Sequence, residues 1–262
     1  MSQQDQQMSH QLCPTTVVEI DLASADGTMN CHVITPERDG TLRAVIVYMP
    51  ASGIRPELVG IAERIASMGY VVVLPNSFYR LARQVDIDAN RLGDDDYLPV
   101  REFMMGLAAN ITNARIIADT GVILEWLIGH DGIDAGTVGG VGYCMGGRLV
   151  MASAGAFPDR FAAAASLYGA GIVTDEDDSP HLRLNDVTGE LYFGIAENDI
   201  YVSAEETAAL KAHLPKIDVR HTVETYPGTE HGFVFGERYC FSPEGAELHY
   251  QRLADLFART LG

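Results

Sequence analysis

The sequence predicts an α/β protein of three layers, with a mostly parallel sheet and helices on both of its faces. Short continuous apolar segments, such as residues 44–49, are typical of strands that are covered on both faces. They alternate along the chain with segments of helical periodicity. Strands that alternate with helices are joined by right-handed crossovers, so neighbouring strands run parallel. The chain has 262 residues, 47% of them apolar, and is long enough to bury a core of this kind.

The first predicted element is a β-hairpin, because two β-rich segments, 15–22 and 29–35, flank the turn signal Ala25-Asp26-Gly27. Further along the chain, apolar segments predict strands and apolar residues at helical spacing predict helices. These strands are expected at 44–49, 70–74, 137–143, 161–167, 191–196 and 219–226. The helices are expected at 58–66, 103–128, 144–156, 204–213 and 243–261. Two long loops, 76–99 and 171–190, have the length to overhang a site at the edge of the sheet.

Residues 15–262 are expected to form one domain, since no Pro/Gly/Ser-rich linker, composition break or internal repeat divides them. Residues 1–14 begin with the polar segment MSQQDQQMSHQL and predict a disordered lead-in. This segment has neither the basic nor the apolar region of a secretion signal. No apolar stretch approaches the roughly 18 residues that a membrane span needs. These features together predict a cytoplasmic protein.

Charge and cysteine content exclude several kinds of partner and site. The chain has 18 basic and 36 acidic residues, a net charge of −18, which repels phosphate backbones and anionic lipids, so neither nucleic acid nor membrane is an expected partner. The cysteines at 13, 31, 144 and 240 include no CxxC pair, which is typical of reduced thiols. The acidic clusters 94–96 and 175–178 lack the spacing of an EF-hand loop, so we interpret them as solvated loop charge and expect no metal site.

A candidate nucleophile lies where the predicted strand 137–143 meets the next helix. The segment GYCMGG, residues 142–147, has the Gly-x-nucleophile-x-Gly pattern of a sharp strand-to-helix turn, with Cys144 at its centre. Side chains at the two glycine positions would collide with the neighbouring strand and helix. The helix N-terminus also favours a thiolate over a thiol. A dinucleotide-binding turn would need a third glycine where Met145 stands, which disfavours that interpretation.

A thiolate nucleophile needs a base, and the base needs an orienting carboxylate, in the chain order nucleophile, acid, base. Asp199 follows the predicted strand 191–196, and His231 follows the last predicted strand. The carboxyl ends of parallel strands meet at one edge of the sheet, where ligands bind. Glu197 remains an alternative acid, and His181 is the only other histidine in a suitable loop.

The three motifs GYCMGG, END and GTEHGF stand in this order along the chain. In this respect the chain resembles the dienelactone hydrolase family of α/β-hydrolases, from Thr15 to its end. The resemblance implies a catalytic triad of Cys144, Asp199 and His231. It also implies an oxyanion hole formed by the backbone N–H groups of Met145 and Ala51. This chemistry needs no metal or organic cofactor.

The chain departs from the family pattern at positions that contact substrate. Members that cleave dienelactone have a glutamate where this chain has Pro50, and their second substrate-binding arginine corresponds to Phe235. Their first such arginine falls near Arg101. These departures argue against a dienelactone substrate and predict a more apolar pocket. Its expected walls are Tyr48, Tyr201, Phe233 and Phe235.

The expected function is therefore hydrolysis of small-molecule carboxylic esters or lactones through an acyl-thioester on Cys144. Two alternatives remain at this point. The same triad would also suit attack at the phosphorus of a phosphoester or phosphotriester. A low-pKa thiolate is also the species that oxidises, so a redox-responsive protein on this scaffold is the other alternative. A monomer or a homodimer is expected.

Overall fold

The computed structural model describes residues 13–262 of the chain. Residues 1–12, most of the predicted lead-in, lie outside the described residues. The described part starts at Cys13, whose backbone N–H donates to the carbonyl oxygen of Ser67 at 3.3 Å. The next residue, Pro14, accepts a hydrogen bond from the backbone N–H of Glu37 at 2.8 Å. The chain is therefore packed against the body of the protein just before the first strand.

Eight strands in residues 13–262 form one sheet. They are β1 (Thr15–Ser24), β2 (Gly27–Pro36), β3 (Leu42–Tyr48), β4 (Val71–Pro75), β5 (Ile133–Tyr143), β6 (Phe161–Leu167), β7 (Glu190–Asn198) and β8 (His221–Glu230). Their order across the sheet is β1-β2-β4-β3-β5-β6-β7-β8. The β1–β2 and β2–β4 pairs are antiparallel, and every other neighbouring pair is parallel. The predicted fold class is confirmed.

Six α-helices in the described part cover this sheet. They are α1 (Pro56–Ala66), α2 (Leu98–Ala109), α3 (Asn113–Ile128), α4 (Met145–Ala156), α5 (Ala204–His213) and α6 (Pro243–Leu261). The adjacent glycines of β5 show how helices approach from both faces: a Cβ at Gly139 would lie 2.9 Å from Phe257 of α6, and one at Gly140 would lie 2.7 Å from Val150 of α4. No helix within residues 13–262 combines the length and the apolar character that crossing a membrane requires.

The single helix predicted over 103–128 is wrong, because two helices occupy this region. The first, α2, ends at Ala109, and α3 begins after Thr112, whose side chain accepts a hydrogen bond from the backbone N–H of Arg115 at 3.2 Å. Threonine and asparagine side chains that bond to nearby backbone groups favour helix ends over helix interiors. The two helices are therefore separate elements, joined by residues 110–112.

The last strand also differs from its prediction, since β8 continues to Glu230 instead of ending at Tyr226. The residue after the predicted end is Pro227, which lacks an N–H group. However, β8 is the edge strand, where a proline without an N–H group can be accommodated. The longer strand places residue 231 directly at the carboxyl edge of the sheet.

Candidate active site

Cys144 lies on the sharp turn between β5 and α4. Its backbone has φ 56° and ψ −120°, a left-handed conformation that is costly for a residue with a Cβ. The flanking glycines make the turn possible: a Cβ at Gly142 would lie 1.8 Å from the carbonyl oxygen of Gly146. A Cβ at Gly146 would in turn lie 2.2 Å from the carbonyl oxygen of Tyr48. The turn thus holds the cysteine at the start of α4 and close to the end of β3.

Asp199 and His231 contact each other at the ends of two neighbouring strands. The parallel pairing of β7 and β8 sets Asn198 opposite Glu230, so the residues that follow them meet. The Nδ1 atom of His231 lies 2.8 Å from Oδ2 and 2.9 Å from Oδ1 of Asp199, and both side chains are buried. The backbone N–H groups of Tyr201 and Val202 donate to Oδ1 at 2.8 and 3.0 Å. The carboxylate is therefore held in place from two sides.

The alternative acid and base occupy other positions. The Oε2 atom of Glu197 accepts a hydrogen bond from the backbone N–H of Gly228 at 2.6 Å, on the exposed side of the sheet edge. His181 bonds to the hydroxyl of Ser179 at 2.7 Å, and its ring packs against that of His213. Of the candidate acids and bases, the structure thus brings together Asp199 and His231.

The electrostatics of the site favour an ion pair between thiolate and imidazolium. Burial raises the pKa of the Cys144 thiol, but the charge and side chain of His231, with the backbone N–H groups of Met145 and Ala51, outweigh burial and leave the pKa below its ordinary value. Burial lowers the pKa of His231, but the charge of Cys144 and the hydrogen bond that the imidazole donates to Asp199 raise it to about 9. The two shifts have the same cause, since each ionised group stabilises the other.

The two ring nitrogens of His231 have different environments. Nδ1 forms a hydrogen bond with Asp199. Nε2 is buried and has no hydrogen-bond partner within residues 13–262. The ionisable side chain that most strongly raises the pKa of this imidazole is Cys144. Nε2 is therefore free to exchange a proton with the sulfur or with a group bound beside it.

A cavity of about 410 Å³ opens at Cys144 and His231. Helix α2 forms one wall of it, with residues at helical spacing that present mostly apolar atoms: Met104, Met105, Ala108 and Ala109. The two long loops contribute one lining residue each, Leu92 and Gly171. The site is therefore a pocket between the sheet edge and α2.

Of the predicted substrate-contacting residues, three line this cavity: Arg101, Tyr201 and Phe235. Two do not, and their prediction is wrong. The hydroxyl of Tyr48 lies 2.9 Å from that of Thr120 of α3, so its side chain points into the core between sheet and helix. The ring of Phe233 is fully buried and packs against Tyr226. The aromatic character of a residue does not show whether its side chain faces the core or the cavity.

Two arginines that the sequence did not indicate, Arg148 and Arg238, also line the cavity. The guanidinium of Arg148 donates to Oδ1 of Asn113 and to the carbonyl oxygen of Ile111, both at 2.9 Å. The Nε atom of Arg238 is buried without a hydrogen-bond partner in the described residues. Arg148 lies one helical turn after Cys144, so its position could have been found from helical spacing. Arg238 lies in a loop, where no periodic pattern predicts the direction of its side chain.

The guanidinium groups of Arg101, Arg148 and Arg238 share one property. None of them forms an ion pair with a carboxylate of residues 13–262. Uncompensated cations are unusual in a chain with a net charge of −18. The cavity is thus more cationic than the predicted apolar pocket.

The described residues contain no group of three or more His, Cys, Asp or Glu side chains with the arrangement of a metal site. In the acidic cluster 94–96, the guanidinium of Arg91 pairs with Asp94 at 3.2 Å and with Asp96 at 2.6 Å. This cluster is therefore partly neutralised by a neighbouring side chain.

Comparison with known proteins places the chain in a family. The model of the Dienelactone hydrolase family matches residues 29–261. This chain belongs to that family. The carboxymethylenebutenolidase homolog of Mus musculus is 29% identical over 205 residues, which are 77% of this chain and 74% of that protein. The family predicted from the three motifs is confirmed.

Solved structures share the fold of this dienelactone hydrolase family member. The crystal structure of a "Putative Dienelactone Hydrolase" from Klebsiella pneumoniae subsp. pneumoniae has a TM-score of 0.81 and 22% identity, covering 94% of this chain and 99% of that one. The dienelactone hydrolase-like promiscuous phosphotriesterase P91 from metagenomic libraries has a TM-score of 0.74 and 16% identity, covering 94% and 98%. At this identity the likeness concerns the fold.

Proposed function

We propose that this family member hydrolyses carboxylic esters or lactones with Cys144 as its nucleophile. The observation that carries the proposal is the arrangement of His231, which binds Asp199 through Nδ1 and leaves Nε2 for the sulfur. The lowered pKa of Cys144 supports it, because the thiolate is the nucleophilic form. The cavity beside the sulfur offers room for a small substrate.

In the acylation step, the Cys144 thiolate attacks the carbonyl carbon, and the electron pair of the C=O bond moves to the oxygen. The backbone N–H groups of Met145 and Ala51, which stabilise the thiolate at rest, then stabilise the oxyanion. As the tetrahedral intermediate collapses, Nε2 of His231 gives its proton to the leaving alkoxide. The products of this step are an alcohol, or the open hydroxyl end of a lactone, and a thioester on Cys144.

In the deacylation step, the neutral His231 takes a proton from water, which attacks the thioester carbon. The second tetrahedral intermediate collapses to the carboxylic acid, and the thiolate and the imidazolium are restored. Asp199 holds the imidazole in the tautomer that directs Nε2 to the reacting atoms. These steps balance without a metal or an organic cofactor.

The cavity also indicates which esters suit the site. The wall from α2 offers apolar contact, while Arg238 and Arg148 offer guanidinium groups without carboxylate partners. A substrate with an apolar group and an anionic group would satisfy both sides of the cavity. Pro50 and Phe235 remain at positions where dienelactone-cleaving members have charged residues, so we propose an ester or lactone other than dienelactone.

The acyl-thioester can be detected directly. After brief mixing with p-nitrophenyl acetate and quenching in acid, one acetyl group is expected on the tryptic peptide that contains Cys144, by mass spectrometry. The Cys144→Ala variant is expected to carry none. Hydrolysis without acetylation of Cys144, at an equal rate in the variant, would overturn the proposed mechanism. Labelling of Cys144 by a phosphotriester but not by the ester would instead favour attack at phosphorus.

The Arg238→Gln variant tests the anionic part of the substrate. Its kcat/KM for p-nitrophenyl hemisuccinate is expected to fall about 10-fold or more, since a hydrogen bond to a charged group contributes about 1.5–3 kcal/mol. Its kcat/KM for the neutral p-nitrophenyl butyrate should stay unchanged. Arg183→Gln is a suitable control, because Arg183 is exposed and lies outside the cavity. Equal losses on both esters would contradict a role in charge recognition.

A further inference from the structure

Arg55, the residue just before α1, connects two loops of the active site. Its side chain is only 7% exposed. The guanidinium donates to the hydroxyl of Ser52 and, at 3.4 Å, to the carbonyl oxygen of Gly53, both on the turn that follows β3. The Nε atom also donates to Oε1 of Glu237 at 2.6 Å, with a second bond from Nη2. The guanidinium lies 5.3 Å from the ring centre of Phe235.

The two loops have different roles in the proposed reaction. The turn of residues 50–53 carries Ala51, whose backbone N–H stabilises the sulfur and the oxyanion. The segment of residues 232–240, which we call the histidine loop, follows His231 directly and contains Glu237. Glu237 lies 182 residues from Arg55 in sequence, so the contact between the loops exists only in the folded chain.

A second contact from the start of α1 supports the same segment. The Oε1 atom of Glu57 accepts a hydrogen bond from the backbone N–H of Gly236 at 2.8 Å. The histidine loop is further tied to its own start, because the thiol of Cys240 donates to the carbonyl oxygen of His231 at 3.2 Å. The beginning of α1 thus holds this loop through one ion pair and one backbone hydrogen bond.

We propose that Arg55 is a positioning residue that sets the oxyanion donor Ala51 relative to His231. This inference rests on the proposed ester hydrolysis. Arg55 does not line the cavity, whereas Ser52 and Phe235, which it contacts, do. It therefore acts through those neighbours and not on the substrate. The planar guanidinium has donors for both loops at once, which an ammonium group cannot reproduce with the same geometry.

The size of the expected effect follows from the sensitivity of catalysis to geometry. A displacement of about 1 Å in a catalytic group can cost about 100-fold in rate. Because Arg55 is buried and Glu237 is partly buried, removing either partner breaks the ion pair that joins the two loops and loosens their relative position, while Glu57 still holds Gly236. The loss should appear in kcat, which depends on the oxyanion contact, more than in KM.

The test compares Arg55→Met with Glu237→Gln and with the double variant. For p-nitrophenyl acetate, kcat is expected to fall about 10- to 100-fold in Arg55→Met, with little change in KM. In Glu237→Gln the fall in kcat should be smaller. The pH midpoint for alkylation of Cys144 by iodoacetamide should rise in both, since the N–H of Ala51 no longer faces the sulfur. The kcat of the double variant should be no lower than that of Arg55→Met, because the two substitutions break the same contact.

A matched control lies at the other end of α1. Arg64 also pairs with a glutamate of distant sequence, Glu247, and its guanidinium lies 3.8 Å from the ring centre of Tyr250. That ion pair joins α1 to α6 and touches no residue of the cavity. Arg64→Met should therefore change thermal stability without changing kcat or the alkylation midpoint.

Three results would overturn the positioning role. The first is unchanged kcat in both Arg55→Met and Glu237→Gln. The second is a loss of kcat that follows the melting temperature, with an unchanged alkylation midpoint. The third is an equal loss of kcat in Arg64→Met. If Arg55→Met fails to fold, Glu237→Gln, which keeps the arginine, carries the test. If the wild type hydrolyses no ester, the proposed function fails, and the alkylation midpoint still tests Arg55 by itself.

Discussion

Replacing Cys144 with alanine is expected to lower kcat/KM for p-nitrophenyl esters by at least about 1000-fold, because the proposed mechanism forms the acyl intermediate on this sulfur. The Asp199–His231 pair does not depend on the thiol for its hydrogen bonds, so the rest of the site should persist. Alanine and cysteine bear the same backbone strain at φ 56°, so the fold should tolerate the change. The measurement is initial ester hydrolysis, with circular dichroism to verify folding.

The serine variant refines this result. Cys144→Ser keeps the shape of the side chain but replaces a thiol with a hydroxyl, which is far harder to ionise. His231 then has to act as a general base from the start, and activity between that of wild type and alanine is expected. Cys31→Ala provides the control, since Cys31 is a buried thiol of β2 whose pKa is raised to about 12 by its burial. An alanine variant at position 144 that keeps more than about a tenth of wild-type activity would exclude a thiol nucleophile.

Replacing His231 with glutamine should have the second large effect, again about 1000-fold on ester turnover, because the general acid and base is lost. In the wild type, the pKa of Cys144 is lowered and that of His231 is raised to about 9. Activity should therefore decline on the acid side as the thiolate gains a proton. On the alkaline side it should decline near pH 9, as the imidazolium loses the proton that the leaving group needs.

The variant also has a readout that does not require an ester. Without the imidazolium, the pKa of Cys144 should rise, since burial then acts with less opposition. The pH midpoint for alkylation by iodoacetamide is expected below that of an ordinary thiol in wild type and above the wild-type value in His231→Gln. His221→Gln is the control, because the imidazole of His221 bonds to the carbonyl oxygen of Val219, away from the cavity. An equal midpoint in wild type and His231→Gln would show that the histidine does not stabilise the thiolate.

Local patterns in the sequence predicted most of the strands, most of the helices and the turn at Cys144. The turn could be found because its steric requirement is local: two glycines must flank the central residue within one short segment. Asp199 and His231 could be expected at the same edge because parallel strands end together. The helix break at residues 110–112 is not evident from periodicity, because the apolar spacing continues across it and the local signal is the N-cap at Thr112, where α3 begins.

The choice between Asp199 and Glu197 needed the three-dimensional pairing of strands. The pairing of β7 and β8 is irregular between Ala196 and Asn198, and beyond it Asn198 lies opposite Glu230. Asp199 and His231 follow these paired residues and contact each other, whereas Glu197 accepts from the backbone N–H of Gly228. Sequence spacing leaves two candidate carboxylates, and only the folded structure shows that Asp199 is the one that contacts His231.

The sequence by itself determined the fold class, the family and the position of Cys144 on the turn between strand and helix, because each depends on periodicity or on a short motif. The tertiary structure alone showed which side chains line the cavity. Tyr48 and Phe233 turn into the core, whereas Arg238 turns into the cavity. The contact between Arg55 and Glu237 likewise joins parts of the chain 182 residues apart. Such contacts depend on how helices and loops pack on the sheet. A local sequence pattern does not predict the direction in which a side chain points after this packing.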